Sequence, residues 1–105
     1  MIDPPSEIRI GPHVFRVTLV KDGVMDETCG QTFVKRLVIA VDAEQRPSQV
    51  AAVILHEVIH GLLDLTDLST EDEEKVALLL GAGLLALVMD NPGLVAYLSQ
   101  FRPNA

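Results

Sequence analysis

The chain has a single cysteine, Cys29, few basic residues and no apolar run long enough to cross a bilayer, and each shortage removes a class of protein. One thiol rules out an intramolecular disulfide and any thiolate zinc cluster, and it makes a reducing compartment, the cytoplasm, the expected home. Eight Lys and Arg stand against fifteen Asp and Glu, a net charge of -7, and only Lys35 and Arg36 are adjacent. That balance opposes non-specific attraction to nucleic acid, so no nucleic-acid partner is expected. The longest uncharged stretch, Val76 to Met89, has 14 residues, short of the ~20 that a membrane-crossing helix needs. It predicts a buried helix and no membrane partner. Met1-Ile2-Asp3-Pro4-Pro5 carries no basic segment followed by an apolar one, so no secretory signal is expected there. Internal repeats and low-complexity segments are absent.

What remains is a chain of 105 residues with 49% hydrophobic content, which fits one domain over residues 1–105 and leaves no room for a separate substrate-binding domain. Its first half reads as strands. Glu7-Ile8-Arg9-Ile10 alternates polar and apolar residues, Gly11-Pro12 supplies a turn, and Val14 to Val20 is rich in β-branched residues, which together predict a hairpin. A weaker strand covers Thr28 to Val34. Lys35-Arg36 turns the chain into Leu37 to Val41, whose nearly continuous apolar character suits a strand covered on both faces. The expected fold is α+β, a small, mostly antiparallel sheet of three or four strands followed by three helices.

The first helix is predicted from about Gln49 to Leu65, with Ser48 as N-cap or first-turn residue. Apolar residues surround it, which predicts that its polar side chains are shielded from bulk water. Thr70-Glu71-Asp72-Glu73 matches a capping box that opens a second helix running to about Met89. Asn91 as N-cap and Pro92 at the first position begin a short third helix through Tyr97 to Phe101.

The chemistry lies in His56-Glu57-Val58-Ile59-His60. Histidines four apart on a helix share a face, so both imidazoles can turn a nitrogen toward one cation. Glu57, beside the first, suits a general base that takes a proton from metal-bound water. Two histidines alone hold zinc poorly, and a catalytic site needs a third protein ligand. Asp64 continues the same face, but His56, His60 and Asp64 span ~12 Å of helix axis, too far for one ion to gather. A third histidine within the extended motif fails as well, because Thr66 occupies its position. The acidic cluster Glu71-Asp72-Glu73-Glu74 is the remaining supply. Glu73 has a competing duty in the capping box, whereas Glu74 has none and lies in line with Ala77, Gly81 and Leu85, small residues among them permitting close approach to the histidine helix. Glu74 is therefore chosen as third ligand, with Glu73 as its alternative, and the expected cofactor is one zinc ion per chain.

This arrangement, a His-Glu-x-x-His helix followed by a glutamate-bearing helix, resembles the gluzincin metallopeptidases. Within that group, the sheet-then-helices layout and the ending Gly83 to Pro92 are similar to minigluzincins and to small phage-encoded zincins near the ImmA/IrrE group. The likeness runs from about Glu7 to Leu98. It implies a zinc-dependent endopeptidase in which His56, His60 and Glu74 hold the metal and Glu57 activates the water. An edge strand, here the Thr28 to Val34 segment, would bind an extended peptide or protein substrate by strand addition. The larger gluzincins commonly carry an aspartate four residues after the glutamate. Leu78 stands at that position here.

Two other readings accompany this one: a zincin-like binding or regulatory module without turnover, and a latent peptidase whose Leu98 to Ala105 segment covers the cleft. Tyr97 and Arg102 are candidate oxyanion donors, the alternative for Tyr97 being a ring packed on the core. His13 is expected to be an exposed turn residue, and Cys29 a small packing residue rather than a reactive thiol. The apolar 76–89 helix exceeds what a domain of this size needs to bury, which raises a homodimer interface as a further expectation.

Overall fold

The computed structural model describes residues 1–21, 29–65 and 73–102, without the side chains of 73–75, 77 and 78. Strand β1 (Glu7–Ile10) turns into β2 (His13–Val20) as an antiparallel hairpin. Gly11 takes a φ of +59° at the first position of the two-residue turn, the conformation that a tight hairpin asks of glycine there. β3 (Gly30–Phe33) leads through a single 3-10 turn (Val34–Arg36) into β4 (Val38–Asp42). Leu37 joins them at a φ of +54°. That left-handed conformation costs a non-glycine residue roughly 1 kcal/mol, and the packing of the Leu37 side chain against the core offsets it.

The strands lie in the order β1-β2-β4-β3. β1–β2 and β3–β4 are antiparallel, but β2 and β4 run parallel, so the sheet is mostly rather than wholly antiparallel. Three helices follow: α1 (Pro47–Asp64), α2 (Glu73–Asp90) and α3 (Pro92–Ser99). This is the α+β architecture expected from the strand-then-helix pattern. Pro47 begins α1 with Arg46 as N-cap, so Ser48 is a first-turn residue. The proposed capping box at Thr70 to Glu73 lies outside the described residues.

One face of the sheet carries the core. Ile8 and Ile10 of β1, Phe15 of β2, and Ile39 and Val41 of β4 are essentially buried against Val50, Ile54, Val58 and Leu62 of α1. The spacing of those α1 residues, four apart, is one helical stripe. On the opposite face Val14, Arg16 and Thr18 are exposed, which corrects the expectation that the Leu37 to Val41 segment is covered on both sides. β4 is shielded instead by its neighbours: Ala40 sits between Thr18 and Gln31 in the ladder.

α2 also departs from the sequence reading. Leu87 is buried and Leu80 packs against the core, yet Leu85, Val88 and Met89 are exposed. The helix is half in contact, not buried all round. Close approach to α1 is made by Gly83, where a Cβ would lie 2.7 Å from Leu62 Cδ1, and not by Gly81, around which there is open space.

Asn91 sits at the corner between α2 and α3. Its side chain makes no cap bond to α3. It accepts from the Arg9 amide (2.9 Å) and donates to the Arg9 carbonyl (3.0 Å) and the Leu87 carbonyl (2.9 Å). The amide group thus pairs with an outer strand as a neighbouring strand would. Replacing Asn91 with Ala removes three hydrogen bonds, and the expected loss is about 1–3 kcal/mol in urea unfolding. An unchanged midpoint would contradict this role.

Candidate metal site

The histidine line of α1 lies about a quarter-turn to a half-turn from its core stripe. Val50, Ala51, Ile54, Val58 and Leu62 face inward, whereas Ala52, His56, His60 and Asp64 are exposed. The two histidines are therefore open to solvent, contrary to the shielding expected from the apolar sequence around them. Glu57 lies at the boundary and is the one buried charged residue among those described, 6% exposed.

The His56 and His60 Nε2 atoms approach to 3.0 Å, with ring centroids 4.7 Å apart. Two nitrogens bound at ~2.05 Å to a tetrahedral zinc would sit ~3.3 Å apart, so a few tenths of an ångström in ring rotation separates this pair from ligand spacing. The ligand atoms of His56, Glu57 and His60 all fall within 4.8 Å of one another. A metal ion fits this donor set. Asp64, on the same exposed line, is not among the converging atoms, in keeping with its elimination on axial distance.

Strand β3 forms the other wall. Gly30 and Thr32 stand opposite Val41 and Ile39, both of them core residues, and residues directly opposed in an antiparallel pair point to the same face. Both therefore face α1. A Cβ on Gly30 would lie 2.5 Å from Val53 Cγ1, 3.2 Å from the Ala40 carbonyl oxygen and 3.3 Å from Glu57 Cγ. Only a residue without a side chain lets the strand lie this close to the helix. One turn further along α1, Gly61 does the same toward the hairpin, with a Cβ position 2.9 Å from Ile10 Cδ1.

Thr32 Oγ1 lies 2.8 Å from Glu57 Oε1 and 2.9 Å from the Glu57 backbone oxygen. Its single proton is donated to one or the other. The hydroxyl thus ties the buried carboxylate to the outer strand. Between β3 and α1 run two adjoining clefts of about 410 and 460 Å³, which share Gly30, His56 and Glu57. Asp64 lines the second and adds negative charge favourable to a cation.

Cys29 is exposed and lines the first cleft, which corrects its assignment as a packing residue. His13 is exposed at the start of β2, as expected of a turn histidine. Tyr97 is 2% exposed and lines a separate small cavity with Met1, Leu19 and Val50. Burial raises its hydroxyl above the ordinary pKa of 10.0. It is a core residue away from the histidine clefts. Arg102 is exposed and lines neither cleft. Gln100 pairs with the backbone of Ile2, and Leu98 and Phe101 pack on the core. Residues 103–105 lie outside the described residues. The Glu73 and Glu74 side chains, including the chosen third ligand, also lie outside them, although both positions fall in the first turn of α2.

No protein-family model matches the chain, and neither a curated protein nor a solved structure does. The metal-site reading rests on its own residues.

Thr32 is the contributor that sequence reasoning missed, and its partner bond is testable. Thr32→Val should lower stability by about 1–3 kcal/mol, because a buried carboxylate loses a donor. Thr32→Ser should recover most of it. Equal loss in both variants would assign the effect to packing rather than to the hydroxyl.

Proposed function

We propose that the chain is a minimal zinc-dependent endopeptidase of the gluzincin type, with His56 and His60 as ligands and Glu57 as general base. The observation that carries this reading is the convergence of the two Nε2 atoms beside a buried carboxylate in a cleft walled by an outer strand. Bound zinc would act as a Lewis acid on a peptide carbonyl and on water.

The chain's own groups supply the rest. Thr32 holds Oε1 of Glu57, which leaves Oε2 to accept a proton from water and pass it to the leaving amine. Burial keeps the carboxylate oriented without competition from bulk solvent. β3, an outer strand of the sheet, would take up an extended peptide by main-chain hydrogen bonding, aligning it along the cleft that holds the histidines. Gly30 allows that strand to lie close to the base.

The third ligand comes from the first turn of α2, where the sequence favours Glu74. Gly81 and Leu85, seven and eleven residues beyond Glu74, face open space and solvent, whereas Leu80 and Leu87, seven and fourteen beyond Glu73, meet the core, so helical phase favours Glu73 for the role. Glu73→Gln and Glu74→Gln separate the two, because only the ligand's loss should weaken zinc affinity by an order of magnitude or more.

The exposure of both histidines favours a second reading, a zincin-like binding module without turnover. Elemental analysis should find close to one zinc per chain, lost in His56→Ala. Cleavage of an unfolded protein such as casein should fall by about 10²–10⁴-fold in Glu57→Gln, with zinc content retained. A chain that takes up no zinc would end the metal-site reading. Zinc uptake without cleavage that depends on Glu57 would leave the binding module.

A further inference from the structure

We infer that the outward face of α2 is a self-association surface, occupied by the same face of a second copy of this chain. Leu80, Gly83 and Leu87 form the line of α2 that meets the core. On the opposite side of the helix stand Gly81, Leu85, Val88 and Met89, by helical spacing a single stripe. Leu85 is 62% exposed, Val88 50% and Met89 72%. A helix that is apolar on both its inner and outer lines is built to be covered on both.

The area suits a protein interface. The exposed parts of Leu84, Leu85, Val88 and Met89 amount to roughly 450 Å², within the range of the largest single patch that ordinary monomers leave to water. The flanking Ala82 and Ala86 are exposed too, which brings the face toward the ~800 Å² per partner of a stable pair. Open space at Gly81 leaves room for close helix approach.

Charge selects the occupant. From Val76 to Met89 the sequence has no charged residue, and the chain as a whole carries -7. An anionic bilayer would repel it, and no Lys or Arg occurs between Lys75 and Arg102 to anchor it at lipid headgroups. Nor does the helix pair form a straight span, since α2 and α3 meet at 96°. An uncharged face is self-complementary. In a two-fold pair crossing at Leu85 the helices run antiparallel, their dipoles oppose, and the two Asp90 carboxylates lie ~15 Å apart along the axis, beyond the screening length of ~8 Å in physiological salt. A parallel pair would bring those carboxylates together, so the charge specifies the antiparallel arrangement.

Light scattering on the 105-residue chain after size exclusion should give twice the chain mass of 11.4 kDa. Leu85→Glu and Met89→Glu change side chains that face water in the single chain, so both should keep the wild-type far-ultraviolet circular dichroism while the mass halves. Ser99→Glu, on an exposed part of α3, should remain a dimer. A wild-type chain that is monomeric at high micromolar concentration overturns the proposal. So does a dimer that survives Leu85→Glu with its mass unchanged, or a monomer that instead co-sediments with phosphatidylcholine vesicles, which would assign the face to lipid.

Discussion

The closeness of α1 to the sheet is the constraint on which the rest depends. Gly30 in β3, against Val53, and Gly61 in α1, against Ile10 of the hairpin, are points where a single added carbon would meet a neighbour across the helix–sheet contact at under 3 Å. They set the depth at which the helix lies. At that depth the core stripe of Val50, Ile54, Val58 and Leu62 is buried, and Glu57, between that stripe and the histidines, falls within reach of Thr32. Raise the helix by a methyl group and both the core and the carboxylate contact loosen together. Stability and the geometry of the site are therefore not separate properties here.

That coupling explains the division of exposure on α1. On the proposed reading, a base must be oriented and a metal ligand must be reachable. Glu57 is buried and tied, while His56 and His60 look outward into the clefts beside β3. The difference arises from one residue of helical phase, about 100° of rotation. A helix amphipathic in the ordinary sense would place all three on the wet side. Here Val53, Leu55, Ile59 and Leu63 are only partly buried, and the boundary between wet and dry runs through the motif itself.

Much of this was legible in the residues. The hairpin could be read from alternation at Glu7 to Ile10 and from Gly11-Pro12, and α1 and α3 from their apolar spacing and prolines, because those signals are local. The pair His56 and His60 was legible for the same reason, since four residues of helix fix their relation. What sequence could not supply was long-range. The parallel pairing of β2 with β4 depends on where β4 inserts, which no short pattern encodes. Burial of the histidine helix was overestimated because hydrophobic content says how much can be buried, not which side meets the sheet. Thr32 gave no signal of its own. Its alternation with Gly30 was visible, but the helix residue above it was not.

The side-chain amide of Asn91 also does more than fasten a corner. By satisfying the outward amide and carbonyl of Arg9, it takes up backbone groups on the β1 margin that an added strand would need. The two margins of the sheet are thereby made unequal. On the proposed reading an extended chain would add along β3, beside the histidines, so the molecule would have a built-in direction: the margin far from the motif is obstructed by a residue that folding needs anyway, and recognition would be left with the other.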